Sequence, residues 1–518
     1  MGSKRQVMRL APSGIVHDLP ADQVGPEQFN DGSNIVFRDG IPTRVGGYAR
    51  VLNTPPQTPK WAQNINSDLF NYWLYTTYAK VMVNDGTSTD ADITPLTYTN
   101  LNSAFNIWTG GVLNGLPVFN QPTEAPMWWD LQVGNKAQYL PGWPVGTRCQ
   151  ALRPFKYHLI AMNISDAGGD FGDGVMWSAA AEPGAIPLTW AAAPGNEAGD
   201  NQLSDSPGDL VDGRTLRDAF ILYKNQSTYA MQYVGGNQVF AFRRILSQSG
   251  MLAKNCCASF QNHHVVLTDS DVILFDGNVG TSIIDKKNRK WLFSQIDPTA
   301  FRTSYVVTNE NDSEVWVVFP EIGNSTPNIA LVWSKDSNDW GVRELPTGSN
   351  NVTYITSGII SNSGSVPTWD STPGSWQSQS KIWNSSNFQT ATPSLLMMQA
   401  QRFYSVDASN TNDGVNVVST LTKIGLDLGD QQRRKLVKRI WPRIQAAPGT
   451  QIFIRMGAND APNDPVQWSD PVTFTVGVDT HADSFANGRF IGVEFSSNGI
   501  DGWRMSGFDV EFTLAGSF

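Results

Sequence analysis

One basic cluster stands out in this 518-residue sequence, although the chain carries a formal net charge of −10. It lies in the stretch QQRRKLVKRIWPRI and consists of Arg433, Arg434, Lys435, Lys438, Arg439 and Arg443. Guanidinium and ammonium groups bind carboxylates and phosphates, so the cluster could dock onto an acidic protein surface or contact DNA. Because Pro442 opposes a continuous helix, we expect a strand. A solvated edge strand whose charges deter aberrant pairing is the structural alternative.

Pairs of carboxylates could catalyse glycoside hydrolysis, which needs two of them held roughly 5–10 Å apart. The candidates are Asp170 with Asp173, Asp269 with Asp271, and Asp501. Most of these acids lie in turn-like sequence, where an aspartate side chain hydrogen-bonds to its own backbone. We therefore predict structural roles for them and no catalytic residue.

The histidines and cysteines lack the spacing of a metal site. His263 and His264 are adjacent, as are Cys256 and Cys257, and neighbouring residues on a strand point to opposite faces. The stretches 84–92 and 410–416 approach the calcium-loop pattern but miss its register. The sequence also has no phosphate-binding loop, nucleophile elbow or HExxH pair. It predicts no metal and no cofactor.

The composition indicates what kind of elements must position these residues. The chain has 46 Gly, 30 Pro, 18 Trp and 25 Phe, and only 16% of its residues are charged. Gly and Pro break helices while aromatic residues suit pleated surfaces, so we expect an all-β fold. The three cysteines do not have the spacing of a disulfide framework, which favours a protein that assembles in a reducing compartment. The opening MGSKRQVMRLAPSG lacks the apolar core of a secretory signal, and no apolar run is long enough to predict membrane insertion.

A repeated pattern organises most of the chain. The stretch HHVVLTDSDVILFDGN, 263–278, has two apolar runs around a polar turn, which is typical of a β-hairpin. Comparable stretches begin at Tyr72, Leu116, Tyr157, Ala219, His264 and Glu314. Spacings of roughly 40–50 residues, with one longer gap, favour the four-stranded blades of a β-propeller over an array of β-sandwiches. The stretch 263–278 is then the two middle strands of one blade.

Three regions follow from this pattern. Residues 1–60 are interpreted as an extended N-terminal segment entering the propeller, and residues 61–419 as the propeller with inserted loops. From about residue 420 the sequence alternates between apolar and polar residues, as in GRFIGVEFSS and GFDVEFTLAG. That alternation is typical of strands with one buried face, so we predict a C-terminal β-sandwich over 420–518.

Two passages resemble a known group of proteins. The first is FNDGSNIVFRDGIPTRVGGYARV, 29–51, where N-D-G-S-N resembles a phrase of the type N-G-x-N and is followed by D-G-x-x-x-R-x-G-G. The second runs from KLVKRIWPRI to GFDVEFTLAG near the C-terminus. Both are similar to passages of tail nozzle proteins, also called tail hub or tubular protein B-like proteins, of short-tailed double-stranded DNA bacteriophages.

The resemblance implies a structural role without catalysis. We expect a homohexameric ring or tube in the virion tail, assembled after synthesis in the host cytoplasm. Its partners would be a portal-adaptor ring protein, tail fibres or a needle, and genomic DNA ejected through the channel. The excess of acidic over basic residues is compatible with a channel wall that does not bind the phosphates of the DNA. The alternative is a propeller module that recognises a host receptor glycan or anchors tail fibres; a propeller glycosidase is less favoured.

Overall fold

The computed structural model describes residues 4–9, 14–66, 71–86, 90–98, 107–236, 238–360, 393–462 and 464–517. Nearly all of their regular structure is strand, which confirms the all-β prediction. The described helices are α1 (Arg289–Gln295) and three short 3₁₀ segments, Phe301–Thr303, Glu310–Asp312 and Gly348–Asn350. The strands form a β-propeller and a β-sandwich, as the sequence predicted.

Five strands precede the propeller in the chain. They are β1 (Lys4–Arg9), β2 (Asp31–Ser33), β3 (Ile35–Arg38), β4 (Ile41–Arg44) and β5 (Gly47–Val51). Only β5 belongs to a blade.

Six antiparallel four-stranded sheets, blades 1 to 6, follow in chain order. Blade 1 contains β6 (Trp61–Asn66), β7 (Asn71–Thr76), β8 (Val81–Asn84) and β9 (Asp90–Asp92); blade 2 contains β10 (Thr109–Leu113), β11 (Leu116–Asn120), β12 (Met127–Trp128) and β13 (Gln138–Tyr139). Blade 3 contains β14 (Arg148–Phe155), β15 (His158–Asp166), β16 (Gly169–Trp177) and β17 (Gly199–Gln202); blade 4 contains β18 (Leu210–Leu216), β19 (Ala219–Lys224), β20 (Thr228–Tyr233) and β21 (Phe240–Leu246). Blade 5 contains β22 (Cys257–Phe260), β23 (His263–Leu267), β24 (Val272–Phe275) and β25 (Gly280–Ser282); blade 6 contains β26 (Tyr305–Asn309), β27 (Glu314–Phe319), β28 (Ile329–Ser334) and β29 (Asp339–Glu344).

Blade 7 closes the ring with strands from both parts of the chain. Its first three strands are β30 (Val352–Gly358), β31 (Ser394–Gln399) and β32 (Arg402–Ser409), and its fourth is β5. The short hairpin of β33 (Thr411–Asn412) and β34 (Val415–Asn416) extends this sheet. The first strand of each blade contacts the first strand of the next, and β30 of blade 7 contacts β6 of blade 1. The propeller therefore has seven blades around one axis.

The predicted hairpin at 263–278 is confirmed as the two middle strands of blade 5. Val265, Val266 and Leu267 of β23 are fully buried. The Asp276 carboxylate accepts hydrogen bonds from the backbone N–H groups of Asn278 and Val279, which shapes the turn after β24. Alternation of apolar side chains thus predicted the packing of the blade correctly.

The C-terminal region forms a sandwich of two sheets. Its strands are β35 (Ser419–Leu426), β36 (Arg433–Ala446), β37 (Gln451–Asn459), β38 (Gln467–Trp468), β39 (Val472–Thr475), β40 (Ala482–Gly488), β41 (Phe490–Ser497) and β42 (Trp503–Ser517). One sheet has the order β2-β35-β41-β37-β38, with β39 also on β37. The other runs β4-β42-β36-β40, with β1 also on β42, and joins blade 6 through β3.

The N-terminal segment differs from its interpretation as a lead into the propeller. Strands β1 to β4 complete the sandwich, and only β5 enters a blade. The physical reason is that β35 and β42 would otherwise present unpaired backbone edges, which β2, β1 and β4 cover.

The segment 29–51 holds the two regions together through buried polar contacts. The Asn34 side chain donates to the carbonyl of Val418 at 2.8 Å and accepts from the backbone N–H of Glu344 at 3.0 Å. Arg44, which is 3% exposed, donates to the carbonyls of Asn410 and Ile500, both at 3.1 Å. The sequence phrase that carries the resemblance is therefore the junction between the propeller and the sandwich.

Gly47 allows the closest approach at this junction. A Cβ atom there would overlap the backbone carbonyl of Thr411. We expect Gly47→Ala to destabilise the protein by about 2 kcal/mol or more, because the overlap is with backbone that cannot move aside easily. Gly134→Ala is the matched control, since a Cβ there meets nothing within 4 Å. Melting temperatures of both variants test this; equal stability of the two would contradict the junction contact.

Candidate functional site

The predicted basic cluster lies entirely on β36. This strand is in the interior of its sheet, paired with β42 along its length and with β40 over 435–440. The alternative of a solvated edge strand is therefore wrong. Its charges cannot serve to deter strand pairing, because both edges of this part of β36 already have partners.

The six cations of the cluster do not form one surface. Lys435 is fully buried, and its Nζ donates to the backbone carbonyls of Asp430 and Arg489. Burial lowers the pKa of Lys435. This ammonium group is a structural element of the sandwich and is unable to reach a protein partner or DNA.

Three arginines of the cluster are neutralised within the chain. The ion pairs are Arg434–Asp460 at 2.9 Å, Arg439–Asp483 at 2.6 Å and Arg443–Asp509 at 3.4 Å. Arg433 and Lys438 are exposed and form no ion pair with another described residue. The net positive charge that β36 offers to a partner is therefore carried by these two residues.

Lys438 lies beside an exposed aromatic residue on the sheet edge. Phe485 of β40 is 64% exposed, and the register places it across from Lys438, between the pairs Val437–Ala486 and Arg439–Asp483. No described strand forms a ladder with the other side of β40, but β37 lies against it, and the backbone N–H of Met456 donates to the Ser484 hydroxyl at 3.2 Å. Phe485 and Lys438 therefore project from a covered sheet, as an exposed aromatic side chain beside a cation.

The propeller axis holds a buried ion pair that the sequence did not predict. Arg153 of β14 donates to both carboxylate oxygens of Asp212 of β18, at 2.9 and 2.6 Å. It also donates to the Asn255 side chain at 2.7 Å and to the carbonyl of Gly110 at 2.8 Å. The guanidinium thus joins residues of blades 2, 3 and 4 and the residue next to blade 5.

The Asp212 carboxylate is fixed in its ionised form. Burial would raise its pKa, but the charge of Arg153 and hydrogen bonds from the backbone N–H groups of Asn255 and Gly213 hold the pKa below its usual value. Asn255 in turn donates to the carbonyl of Trp108 at 3.1 Å. The pair and its hydrogen bonds link the first strands of blades 2, 3 and 4 to the residue before blade 5.

Two cavities lie at the inner strands of the propeller. One, of about 370 Å³, is lined by first strands of the blades and includes Arg153. The other, of about 320 Å³, opens between the loops that precede those strands; Trp61, Asn255 and Tyr354 line both. Cavities of this size accommodate small molecules. A duplex, whose major groove alone is about 12 Å wide, does not fit along the axis of one propeller.

The other candidate residues of the sequence occupy structural positions. Asp170 and Asp173 are on β16, Asp269 and Asp271 form the turn between β23 and β24, and Asp501 accepts a hydrogen bond from Thr450. None of these acids lines either axial cavity. The part of 84–92 spanning 87–89 lies outside the described residues, and Asp413 of the stretch 410–416 binds Arg50, Arg402 and Tyr404.

The adjacent histidines and cysteines pack as predicted. His264 is fully buried between the Tyr223 hydroxyl, at 2.8 Å, and the carbonyl of Thr215, at 3.0 Å, whereas His263 faces solvent. Cys256 and Cys257 are buried free thiols. In the described part of the chain, no three His, Cys, Asp or Glu side chains are grouped closely enough to hold a metal, and no helix is suited to cross a membrane.

Comparison with protein-family models and with curated proteins found no match. Among solved structures, the fold is similar to the crystal structure of the WD40 β-propeller domain of Doa1. The two are 9% identical, with 70% of this chain and 96% of that chain covered and a TM-score of 0.36. The assignment of a seven-bladed propeller rests on the strand pairing described above.

We expect Arg153→Met to destabilise the protein by about 3–5 kcal/mol at pH 7, because it leaves the buried Asp212 carboxylate without its counter-charge. Burial then raises the folded-state pKa of Asp212 above its unfolded value, so the deficit should shrink as the pH falls from 7 towards 4. The double variant Arg153→Met/Asp212→Asn should recover much of the loss. Denaturant unfolding at both pH values measures this, and a pH-independent deficit would contradict it.

Proposed function

We propose that the protein is a structural component of a short bacteriophage tail, of the nozzle or hub type, whose copies form a ring through which genomic DNA leaves. One observation carries the proposal. The two passages that resemble nozzle proteins, 29–51 and the strands from Lys435 onwards, pair with each other through β4 and β42. The resemblance therefore concerns one continuous structural unit and is not spread over unrelated segments.

The space between the inner strands of the propeller determines where a DNA channel would have to lie. Because this space amounts to cavities of about 320 and 370 Å³, a conduit for duplex DNA needs walls from several copies of the chain. A homohexamer around a common lumen meets this need, with the portal-adaptor ring protein above and tail fibres or a needle attached. The net charge of −10 supports passage of DNA without specific binding, since many cationic contacts would retain the duplex.

The surface formed by β36 and β40 supplies one half of the proposed subunit contact. A ring closes through a heterologous interface, in which one surface meets a different surface of the next copy. Arg433, Lys438 and Phe485 would meet an acidic, partly apolar surface there. In the acidic segment 205–214, Asp209 is exposed, whereas Asp205 pairs with Arg244 and Tyr229, and Asp212 pairs with Arg153.

The test is the assembly state of purified protein with and without its portal-adaptor protein, by sedimentation and negative-stain imaging. We expect rings from the wild type, and slower assembly as ionic strength rises, because salt screens exposed charges. A wild type that stays monomeric with the adaptor present would contradict the tail-ring role.

Arg433→Glu with Lys438→Glu tests the contact surface. We expect this double variant to keep the wild-type melting temperature and to lose ring assembly, because both side chains are exposed and no described residue forms an ion pair with either. Lys286→Glu with Lys290→Glu is the matched control, with the same charge change at two other exposed lysines. Normal rings from the Arg433/Lys438 variant at low salt would exclude β36 as the docking strand.

A further inference from the structure

The open cavity at the mouth of the propeller is lined by loops from distant parts of the chain. Its volume is about 320 Å³, and its walls come from the residues before the first strands of blades 1, 2, 5, 6 and 7 and from turns within blades 1, 2 and 6. Trp61, Trp108, Tyr305 and Tyr354 provide aromatic surface. A cavity of this size with aromatic walls and converging polar groups is typical of a small-molecule site.

The charge of this cavity is opposite to that of the protein. Lys60, Lys254 and Arg302 line it, and no Asp or Glu is among the described residues that do so. The chain as a whole carries −10. A partly enclosed site with several cations and no carboxylate favours an anionic ligand.

Lys254 is a partly buried cation of this cavity. Its Nζ donates to the Gln150 side chain at 2.9 Å, and burial together with the nearby charge of Arg302 lowers its pKa to about 8, although the charge of Asp212 raises it. An anion bound between the two cations would restore the interactions that the ammonium group lost on leaving water.

The remaining polar groups are mostly hydroxyls. They belong to Thr77, Thr299, Thr303, Ser304, Ser325, Thr326 and Thr353, beside the amide of Gln121. Ser304 is 1% exposed, and its hydroxyl has no hydrogen-bond partner among the described residues. Buried polar groups are normally hydrogen-bonded, so an unpaired hydroxyl in a cavity wall indicates a group that a ligand satisfies.

We propose that this cavity binds an acidic sugar, with the carboxylate between Lys254 and Arg302 and the sugar ring against the aromatic walls. A uronic or sialic acid unit combines one negative charge with several hydroxyls, which matches both sets of lining groups. The hydroxyls of Thr77, Thr299, Thr303 and Thr353 already donate within the chain, so their oxygens remain as acceptors. A plain carboxylic acid would offer these oxygens no donor, and a neutral sugar would leave the cations without a counter-charge. The site is formed within one copy of the chain, so the inference goes beyond the proposed tail role and does not depend on ring assembly.

Calorimetry on the full-length protein with four probes tests the site: glucuronate, N-acetylneuraminate, glucose and glutarate. We expect one of the acidic sugars to bind about tenfold or more tightly than both glucose and glutarate. Lys254→Met and Arg302→Gln should each weaken that binding about tenfold or more. Lys290→Gln, an exposed lysine that does not line the cavity, should leave it unchanged. Melting temperatures confirm that the variants are folded.

Several results would overturn the proposal. Absence of binding by either acidic sugar up to about 10 mM would exclude the site. Binding of glucose as tightly as the acidic sugars would exclude a role of the cations in ligand binding. Binding of glutarate as tightly as the acidic sugars would exclude recognition of the sugar ring. Wild-type affinity in Arg302→Gln, whose exposed side chain can be replaced without disturbing the fold, would place the ligand elsewhere. Because ring assembly is not needed, these outcomes are independent of the proposed tail function.

Discussion

The pairing of β5 with β32 is the constraint on which the rest of the molecule depends. The last blade of the ring reaches four strands only when β5 pairs with β32, and that strand comes from the N-terminal segment. That same segment first runs through the sandwich as β2, β3 and β4. Ring closure and sandwich assembly therefore share one stretch of chain, 29–51, and neither region is complete without it.

The polar groups of this shared stretch explain its sequence. Arg38 bonds to Glu314 of blade 6 at 2.9 Å and to Asp407 of blade 7 at 3.0 Å, while Arg44 reaches backbone carbonyls beside blade 7 and in the sandwich. Gly47 lies against the backbone next to β33. A phrase of Asn, Arg and Gly at fixed spacing thus specifies a junction. Its chemistry is that of a rigid two-part body, which suits a component that must keep its shape within a larger assembly.

Local patterns in the sequence predicted the elements formed by residues close together in the chain, which are the individual strands and hairpins. Alternating runs such as Val265–Leu267 identified the middle strands of blades 1 to 6, and the alternation after residue 420 identified the sandwich. The seventh blade had no such signal, because β5 is far from β30 in sequence, and residues 361–392, between β30 and β31, lie outside the described residues. No residue next to Arg153 or Asp212 in the sequence indicates that the two form an ion pair, because only the folded chain brings them together. The basic cluster was visible as charge, but which of its cations are buried or paired depends on β40 and β42, so only Arg433 and Lys438 remain as candidates for docking.

The central claim is that a channel for DNA would be enclosed by several copies of this chain and would not run along the axis of one propeller. A cryo-electron microscopy reconstruction of the ring bound to its portal-adaptor protein tests this most directly. We expect several copies around a common lumen, with the β36–β40 surface in the subunit contact and no duplex along any propeller axis. Duplex density along a propeller axis, or a single copy attached away from the lumen, would contradict the account.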